Sequence, residues 1–307
     1  MKKIIITGGA GFIGSAIHAE LKKQGHELFV IDNLTFGNRQ FIDTDDAHFI
    51  KEDIRDREKM KKLFLQIRPQ WVIHLAAVHY IPYCNQHPVE AADININGTI
   101  SVCNATTFCG TAEKFFFAST AAVYPVYDNA VKEDLEPGPV DIYGTTKLTG
   151  EYITKVFHNE SGIASVVCRF FNAFGPNETN AHVIPEVQRQ VNEGLREIKL
   201  GNLEPKRDFI HTYDMARAVS MLLSSEIKGC EVFNLGRGIE YSITEIVDAF
   251  SKEVGEKIKI IQDPERMRKT DRMHLLADVS KLTAFTGWKP QWSLEDGVKT
   301  LVNHANK

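Results

Sequence analysis

The stretch Lys3-Ile4-Ile5-Ile6-Thr7-Gly8-Gly9-Ala10-Gly11-Phe12-Ile13-Gly14 decides how this chain is read. Its apolar run predicts a buried strand, and Gly8, Gly11 and Gly14 follow at the spacing G-x-x-G-x-x-G. From Phe12 to about Lys23 the residues Ile13, Ala16, Ile17 and Leu21 recur on one helical face. Strand, glycine turn and helix N-terminus together predict a dinucleotide site at Gly8, Gly11, Phe12, Ile13 and Gly14. The glycines let backbone approach a pyrophosphate, and the first-turn N–H groups with the helix dipole favour its negative charge. The next apolar run ends in Asp32, about 20 residues beyond the turn. A carboxylate there accepts from a ribose diol and repels a 2′-phosphate, which favours NAD over NADP. Asn33, not an arginine, follows it.

Outward from this stretch, apolar runs at 28–32, 48–50, 71–75, 115–119 and 165–171 alternate with helical patterns near 57–67, 89–108 and 143–160. Strands alternating with helices predict an α/β fold with a doubly wound parallel sheet of Rossmann type. Because the runs are apolar throughout, both faces of the sheet are expected to be covered. After Phe171 the rhythm changes. Residues 172–177 carry turn chemistry, and a helix (184–193), a strand (197–200) and a second helix (212–224) follow. A strand at 232–235 is expected to return to the main sheet. Ser242 with Glu245 predicts a capping box for another helix, and a last helix starts near Ser293. The expected organisation is a nucleotide-binding domain at 1–172, to which 211–235 return. A smaller C-terminal α/β lobe at 173–210 and 236–307 would bind substrate, with the site in the cleft between them.

With 307 residues the chain can bury a large core, and its net charge of −4 gives no basic footprint for nucleic acid. The five cysteines are odd in number and form no C-x-x-C pair, which argues for a reducing compartment and against disulfides or a zinc site. No metal is expected. Apolar runs stay too short to span a bilayer, and the N-terminus enters a strand at once, so a soluble cytoplasmic protein is expected.

The second chemical feature is Tyr143-Gly-Thr-Thr-Lys147. A spacing of four puts phenol and ammonium on one helical face. A nearby Lys⁺ and an oxidised nicotinamide would both stabilise phenolate, which could take a proton from a sugar hydroxyl while hydride leaves the same carbon. Phe117-Ala118-Ser119-Thr120 ends a sheet strand beside it. Asp53 and Ile54, after the third strand, either hold the adenine or, for Asp53, cap the following helix.

Taken together these motifs resemble the extended short-chain dehydrogenases/reductases, in the NAD-dependent nucleotide-sugar epimerase/dehydratase family. The similarity runs through T-G-G-A-G-F-I-G, Asp32-Asn33, Asp53-Ile54, His74-Leu75-Ala76-Ala77, Asn95-Ile-Asn-Gly-Thr99 and Ser119-Thr120-Ala-Ala-Val-Tyr124. It continues through Tyr143/Lys147, Arg169-Phe-Phe-Asn172-Ala-Phe-Gly-Pro176, Arg207-Asp-Phe-Ile-His211, Phe233-Asn-Leu-Gly236 and Gly287-Trp-Lys-Pro290. The resemblance implies Tyr143 as catalytic base, Lys147 holding the nicotinamide ribose, and Thr120 sharing the proton. It implies that Leu75, Ala76, Ala77 and Ser119 line the NAD, with Asn95 in support. Asn172 would contact substrate phosphate or sugar, and Arg207 and Arg268 would grip a diphosphate. Arg207 could instead pair with Asp208. His182 and Val183 stand where substrate-lining residues lie, and a structural role for His182 is equally open.

Departures from the family pattern separate the reactions. Ala121 and Ala122 stand where the 4,6-dehydratases of the family carry an acid pair, and the cysteine of the epimerase-reductases is missing from position 121. The loop after Ala77 reads Val78-His79-Tyr80-Ile81-Pro82-Tyr83-Cys84, so His79, Tyr80 and Cys84 could face the sugar. The expected function is therefore NAD-dependent 4-epimerisation of a nucleotide-diphospho-sugar through a 4-keto intermediate, with UDP expected by family frequency. The alternatives are a dehydratase using His79, Cys84 or His182 as acid or base, a net dehydrogenase or reductase, and a non-catalytic NAD-sensing module. The resemblance also implies a homodimer through helices 89–109 and 143–160, whose apolar Ile94, Ile100, Val102, Tyr152, Val156 and Phe157 could equally pack on the sheet.

Overall fold

Strand β1 (Lys3–Thr7) and helix α1 (Phe12–Lys23) form at the glycine-rich stretch, in a computed structural model that describes residues 1–264 and 272–304. Further strands are β2 (Glu27–Ile31), β3 (Phe49–Ile50), β4 (Trp71–His74), β5 (Lys114–Thr120), β6 (Ala164–Phe170) and β7 (Asn172–Phe174). They are followed by β8 (Glu197–Leu200), β9 (Lys206–His211), β10 (Cys230–Leu235), β11 (Glu240–Ser242) and β12 (Lys259–Gln262). The helices after α1 are α2 (Arg57–Ile67), α3 (Ile81–Gln86), α4 (Pro88–Ala92), α5 (Gly98–Cys109) and α6 (Ile142–Ser161). The later ones are α7 (Val183–Asn192), α8 (Thr212–Ser224), α9 (Ile243–Val254), α10 (Ser280–Thr286) and α11 (Leu294–His304).

Seven strands, in the order β10-β6-β5-β4-β1-β2-β3, form one sheet in which every pairing is parallel. The order reverses between β1 and β4, the switch point where a doubly wound fold binds its ligand. Side chains alternate across the strand, so Ile4 and Ile6 join Ile17, Leu21, Met215, Val219 and Leu222 under α1 and α8. Ile5 joins Met60, Phe64, Val102, Phe115 and Phe157 under α2, α5 and α6. All three isoleucines are fully buried, each contributing roughly 1.5–3 kcal/mol. An apolar run without alternation is thus what a sheet covered on both faces requires.

The smaller lobe has its own core, where Phe174, Val187, Ile198, Phe209, Ile246, Phe250 and Val298 meet. Two small sheets, β11-β9-β7 and β12-β8, frame it. The capping box of α9 is present: Glu245 N–H donates to Ser242 Oγ at 3.2 Å, and Ser242 N–H donates to Glu245 Oε2 at 2.8 Å.

Several expectations are corrected. Residues 172–174, read as turn, form β7, because Asn172 and Phe174 pair with Phe209 and His211. The helix expected over 89–108 is divided into α4, a wider π turn at Asp93–Asn97, and α5. Leu282 and Trp288, assigned by sequence to the smaller lobe, pack in the large-sheet core beside Phe233. Of the residues left open between a dimer face and the sheet, Val102 and Phe157 are buried against the sheet and Tyr152 and Val156 are exposed.

Candidate active site

A cleft of about 1040 Å³ opens at the C-terminal ends of β1, β2, β4, β5 and β6 and is closed on its far side by the smaller lobe. At its floor the glycine turn is tight. Gly8 has φ +73°, and a Cβ there would meet Ala76 N at 2.6 Å; a Cβ on Gly14 would meet the Gly8 carbonyl oxygen at 2.2 Å. Gly11 caps α1 without a side-chain hydrogen bond, so the first-turn N–H groups at Phe12, Ile13 and Gly14 are left for an anion. Asp32 is buried at the end of β2 and accepts from Ala10 N at 3.1 Å and Leu34 N at 2.9 Å, while desolvation raises its pKa. Asn33 Nδ2 donates to Asp53 Oδ2 at 3.1 Å, and the Arg55 guanidinium holds Asp53 down to about 2. Asp53 does not cap α2, since Asp56 does so by accepting from Lys59 N. Gly8, Gly11, Phe12, Ile13, Gly14, Asp32, Asn33, Asp53 and Ile54 all line the cleft, as do Leu75, Ala76, Ala77 and Ser119.

Asn95 stands behind this wall. Its Oδ1 accepts from Val78 N at 2.8 Å, and its Nδ2 donates to Val78 O and to Thr146 Oγ1, each at 2.9 Å. One buried amide therefore ties the loop after β4 to the helix carrying Tyr143 and Lys147. The π turn is what aims Asn95 inward.

Thr120 ends β5, where its Oγ1 accepts from Ala122 N at 3.2 Å. Helix α6 starts at a cap in which Asp141 Oδ1 accepts from Gly144 N at 2.7 Å, placing half-buried Tyr143 one turn before buried Lys147. Burial raises the Tyr143 pKa, the Thr120 hydroxyl acts in the opposite sense, and Cys84 and Asp141 add to the rise. Burial lowers Lys147 to about 7 against an attractive contribution from Glu151. The phenolate-favouring effect expected of Lys147 and an oxidised nicotinamide is not among the causes at Tyr143 in the open cleft, where desolvation is the largest for both groups. Lys147 Nζ lies 4.4 Å from the centroid of the Phe117 ring and has no hydrogen-bond partner among the described residues. A buried ammonium that makes no hydrogen bond to the described residues fits a ligand diol. Beneath it Glu151 accepts from the Ser119 hydroxyl and from Arg169 Nε at 2.9 Å and Nη2 at 2.8 Å.

On the substrate side the cleft is lined by Asn172, His79, Tyr80, His182, Val183 and Arg207. Arg207 Nη1 donates to Lys206 O at 2.8 Å. The Asp208 carboxylate is turned away from Arg207 and accepts from the backbone of Arg237, Gly238 and Ala277. Arg268 lies outside the described residues. Cys84 is corrected: it is fully buried with Val78 and Ala91, and its thiol donates to Val78 O at 3.5 Å. The α3 turn directs it into the core, and burial pushes its pKa up to about 11. Sequence reasoning missed Arg55, Glu178 and Arg272, which also line the cleft. Arg272 Nη2 donates to Tyr124 O at 2.9 Å. The signal for Glu178 was available, in a polar turn directly after Gly175-Pro176.

The profile of the NAD dependent epimerase/dehydratase family matches residues 4–236, from the first strand to the end of β10. The chain belongs to that family. A relative named UDP-glucose 4-epimerase, from Bacillus subtilis, is 31% identical over 325 residues, covering 95% of this chain and 94% of the relative. The crystal structure of a Thermotoga maritima UDP-glucose 4-epimerase with UDP-glucose superposes with a TM-score of 0.91 at 28% identity, covering 99% of this chain and 98% of the other. A Thermus thermophilus UDP-glucose 4-epimerase complexed with NAD gives 0.89 at 28% identity, with 99% of each chain covered. Family members share the sheet that presents the glycine turn, and the cleft described above is the part of this member that such a sheet positions.

Proposed function

We propose that the protein is an NAD-dependent 4-epimerase of a nucleotide-diphospho-sugar, with a UDP-sugar as substrate. The observation that carries this is the convergence in one cleft of the glycine turn and Asp32 with Thr120, Tyr143 and Lys147, whose Nζ has no hydrogen-bond partner among the described residues. The first-turn N–H groups would hold the pyrophosphate of the cofactor, Asp32 its adenosine ribose, and Lys147 Nζ the second ribose. Bound NAD supplies the hydride acceptor and, when oxidised, a positive charge that favours phenolate at Tyr143. Tyr143 Oη takes the proton of the C4 hydroxyl and later returns it, and Thr120 Oγ1 bridges the two oxygens. The 4-keto sugar turns over between the two transfers, and Arg207 with Asn172 holds the diphosphate while it does so. Ala121 and Ala122 line the cleft where an elimination would need an acid.

The same reading places the protein in the cytoplasm, in keeping with its five free thiols. It also makes the protein a homodimer through exposed Tyr152 and Val156 on α6. No described helix is long and apolar enough to cross a membrane. The test is a panel of sugar nucleotides incubated with the purified protein without added cofactor, products being read by mass and proton NMR. An isomer of unchanged mass inverted at C4 is expected. Loss of water, or turnover only with stoichiometric NAD(H), would refute the epimerase.

A further inference from the structure

One cluster in the cleft has no part in the proton and hydride chemistry. A ring nitrogen of His79, a ring nitrogen of His182 and a carboxylate oxygen of Glu178 all lie within 4.8 Å of one another. The three come from two segments fixed by independent means. His79 follows Val78, whose N–H and carbonyl are both bonded by Asn95. Glu178 follows Asn177, which has φ +72°, and its Oε1 accepts from Thr179 N at 3.0 Å and Asn180 N at 2.9 Å. His182 caps α7, with its own N–H donating to Asn180 O at 2.8 Å.

We propose that His79, Glu178 and His182 bind a divalent first-row transition-metal ion, of the zinc, cobalt or ferrous class, on the wall of the cleft. Two imidazoles and one carboxylate are a donor set that suits these ions over magnesium or calcium. Three protein ligands leave coordination positions open to the cleft, where water or oxygens of a bound sugar complete the shell. Zinc-type bonds of about 2.0–2.2 Å put neighbouring donors roughly 3–3.5 Å apart, so the observed spread closes by side-chain rotation of an ångström or so.

The surroundings of His79 and Glu178 show where the ion would sit. Asn180 Nδ2 donates to His79 Nε2 at 3.0 Å and to Glu178 Oε1 at 3.3 Å, so an amide N–H now fills the place between these two donors, and the ion takes it when the Asn180 side chain turns away. The Glu178 carboxylate has no ion pair among the described residues, its Oε1 accepting only from Thr179 N, Asn180 N and Asn180 Nδ2. A cation in the cluster would neutralise a carboxylate that otherwise has only backbone and amide donors. The cysteine count excluded a thiolate site, but it says nothing of one made by histidines.

The test reads the metal directly and does not depend on which sugar is turned over. Chelator-stripped protein is titrated with Co²⁺, following the visible ligand-field bands and the bound metal by elemental analysis. One Co²⁺ per chain is expected, displaced by Zn²⁺. Affinity should fall at least tenfold in each of His79→Ala, His182→Ala and Glu178→Gln, with far-UV dichroism unchanged. His48→Ala, at an exposed pair with Asp45, should leave the titration as it was. Absence of stoichiometric Co²⁺ in the parent protein, or its retention in the triple variant, would overturn the assignment.

Discussion

Replacing Lys147 with methionine should stabilise the cofactor-stripped protein while destroying its activity. Lys147 titrates near 7 in the folded cleft, against 10.5 for an ordinary lysine, with burial as the main cause. Below pH 7 the amine is protonated in both states, and the folded state carries the full penalty of burying the charge. Between 7 and 10.5 the unfolded chain alone holds the proton, so stability rises with pH across this window and levels off above it. At about 1.4 kcal/mol per pH unit, the penalty at pH 7 is on the order of 4 kcal/mol. Methionine keeps the length of the side chain and removes the charge, so it should recover up to that amount. For a chain of this length, with unfolding entropy near 2.1 cal/mol/K per residue, the gain corresponds to roughly 6 °C in Tm. Scanning calorimetry on both proteins, stripped of dinucleotide, reads the difference at pH 7 and again at pH 9.5. The gap at pH 9.5 should be less than half of the gap at pH 7. A variant that melts at or below the parent, or a gap that does not change with pH, would refute the desolvation argument.

Other outcomes follow from named contacts. Tyr143→Phe should lower kcat by about 10³ without loss of bound dinucleotide, as measured by chromatography of the heat-released cofactor. Gly14→Ala sets a methyl against the Gly8 carbonyl at 2.2 Å, so the purified variant should contain less than about a tenth of the parent's NAD; full occupancy would mean the turn is not where the pyrophosphate sits. Trp288→Ala empties a fully buried position in the large-sheet core and should lower unfolding free energy in urea by about 3–5 kcal/mol. Cys84→Ala should leave kcat/KM within about threefold, because its thiol faces Val78 O and not the cleft; a larger loss would return Cys84 to the site.

The sheet was legible because its signal is local. Unbroken apolar runs at β1, β4, β5 and β6 and glycines at fixed spacing record a strand buried on both faces and a backbone that must bend. The pair Tyr143 and Lys147 was legible for the same reason, since i,i+4 on a helix is a short-range geometry. What stayed hidden depends on partners far away in sequence. Strand β7 exists only because Asn172–Phe174 meets β9, and nothing in three residues announces that pairing. Cys84 was misplaced because its direction is set by how α3 packs, not by its neighbours in the loop. The electrostatics of Tyr143 and Lys147 follow in sequence from charge proximity alone, whereas desolvation is the largest influence on both in the open cleft. Glu178 meets His79 across a long stretch of chain, and that juxtaposition has no sequence period at all.

Strand β10 bears on the order in which this protein can be made. It is the edge partner of β6, yet the chain builds β7, β8, β9 and α8 before reaching it. A nascent chain that has just released β6 from the ribosome therefore presents an open edge of unpaired N–H and C=O groups. The face beneath it is bare as well, because Met215, Val219 and Leu222 arrive with α8 and Trp288 later still. The glycine turn emerges long before β10, which completes the sheet that it belongs to. Synthesis is thus a period of exposure in which chaperone binding or early dinucleotide capture has most to contribute, and a cut after β6 leaves half a core rather than a domain.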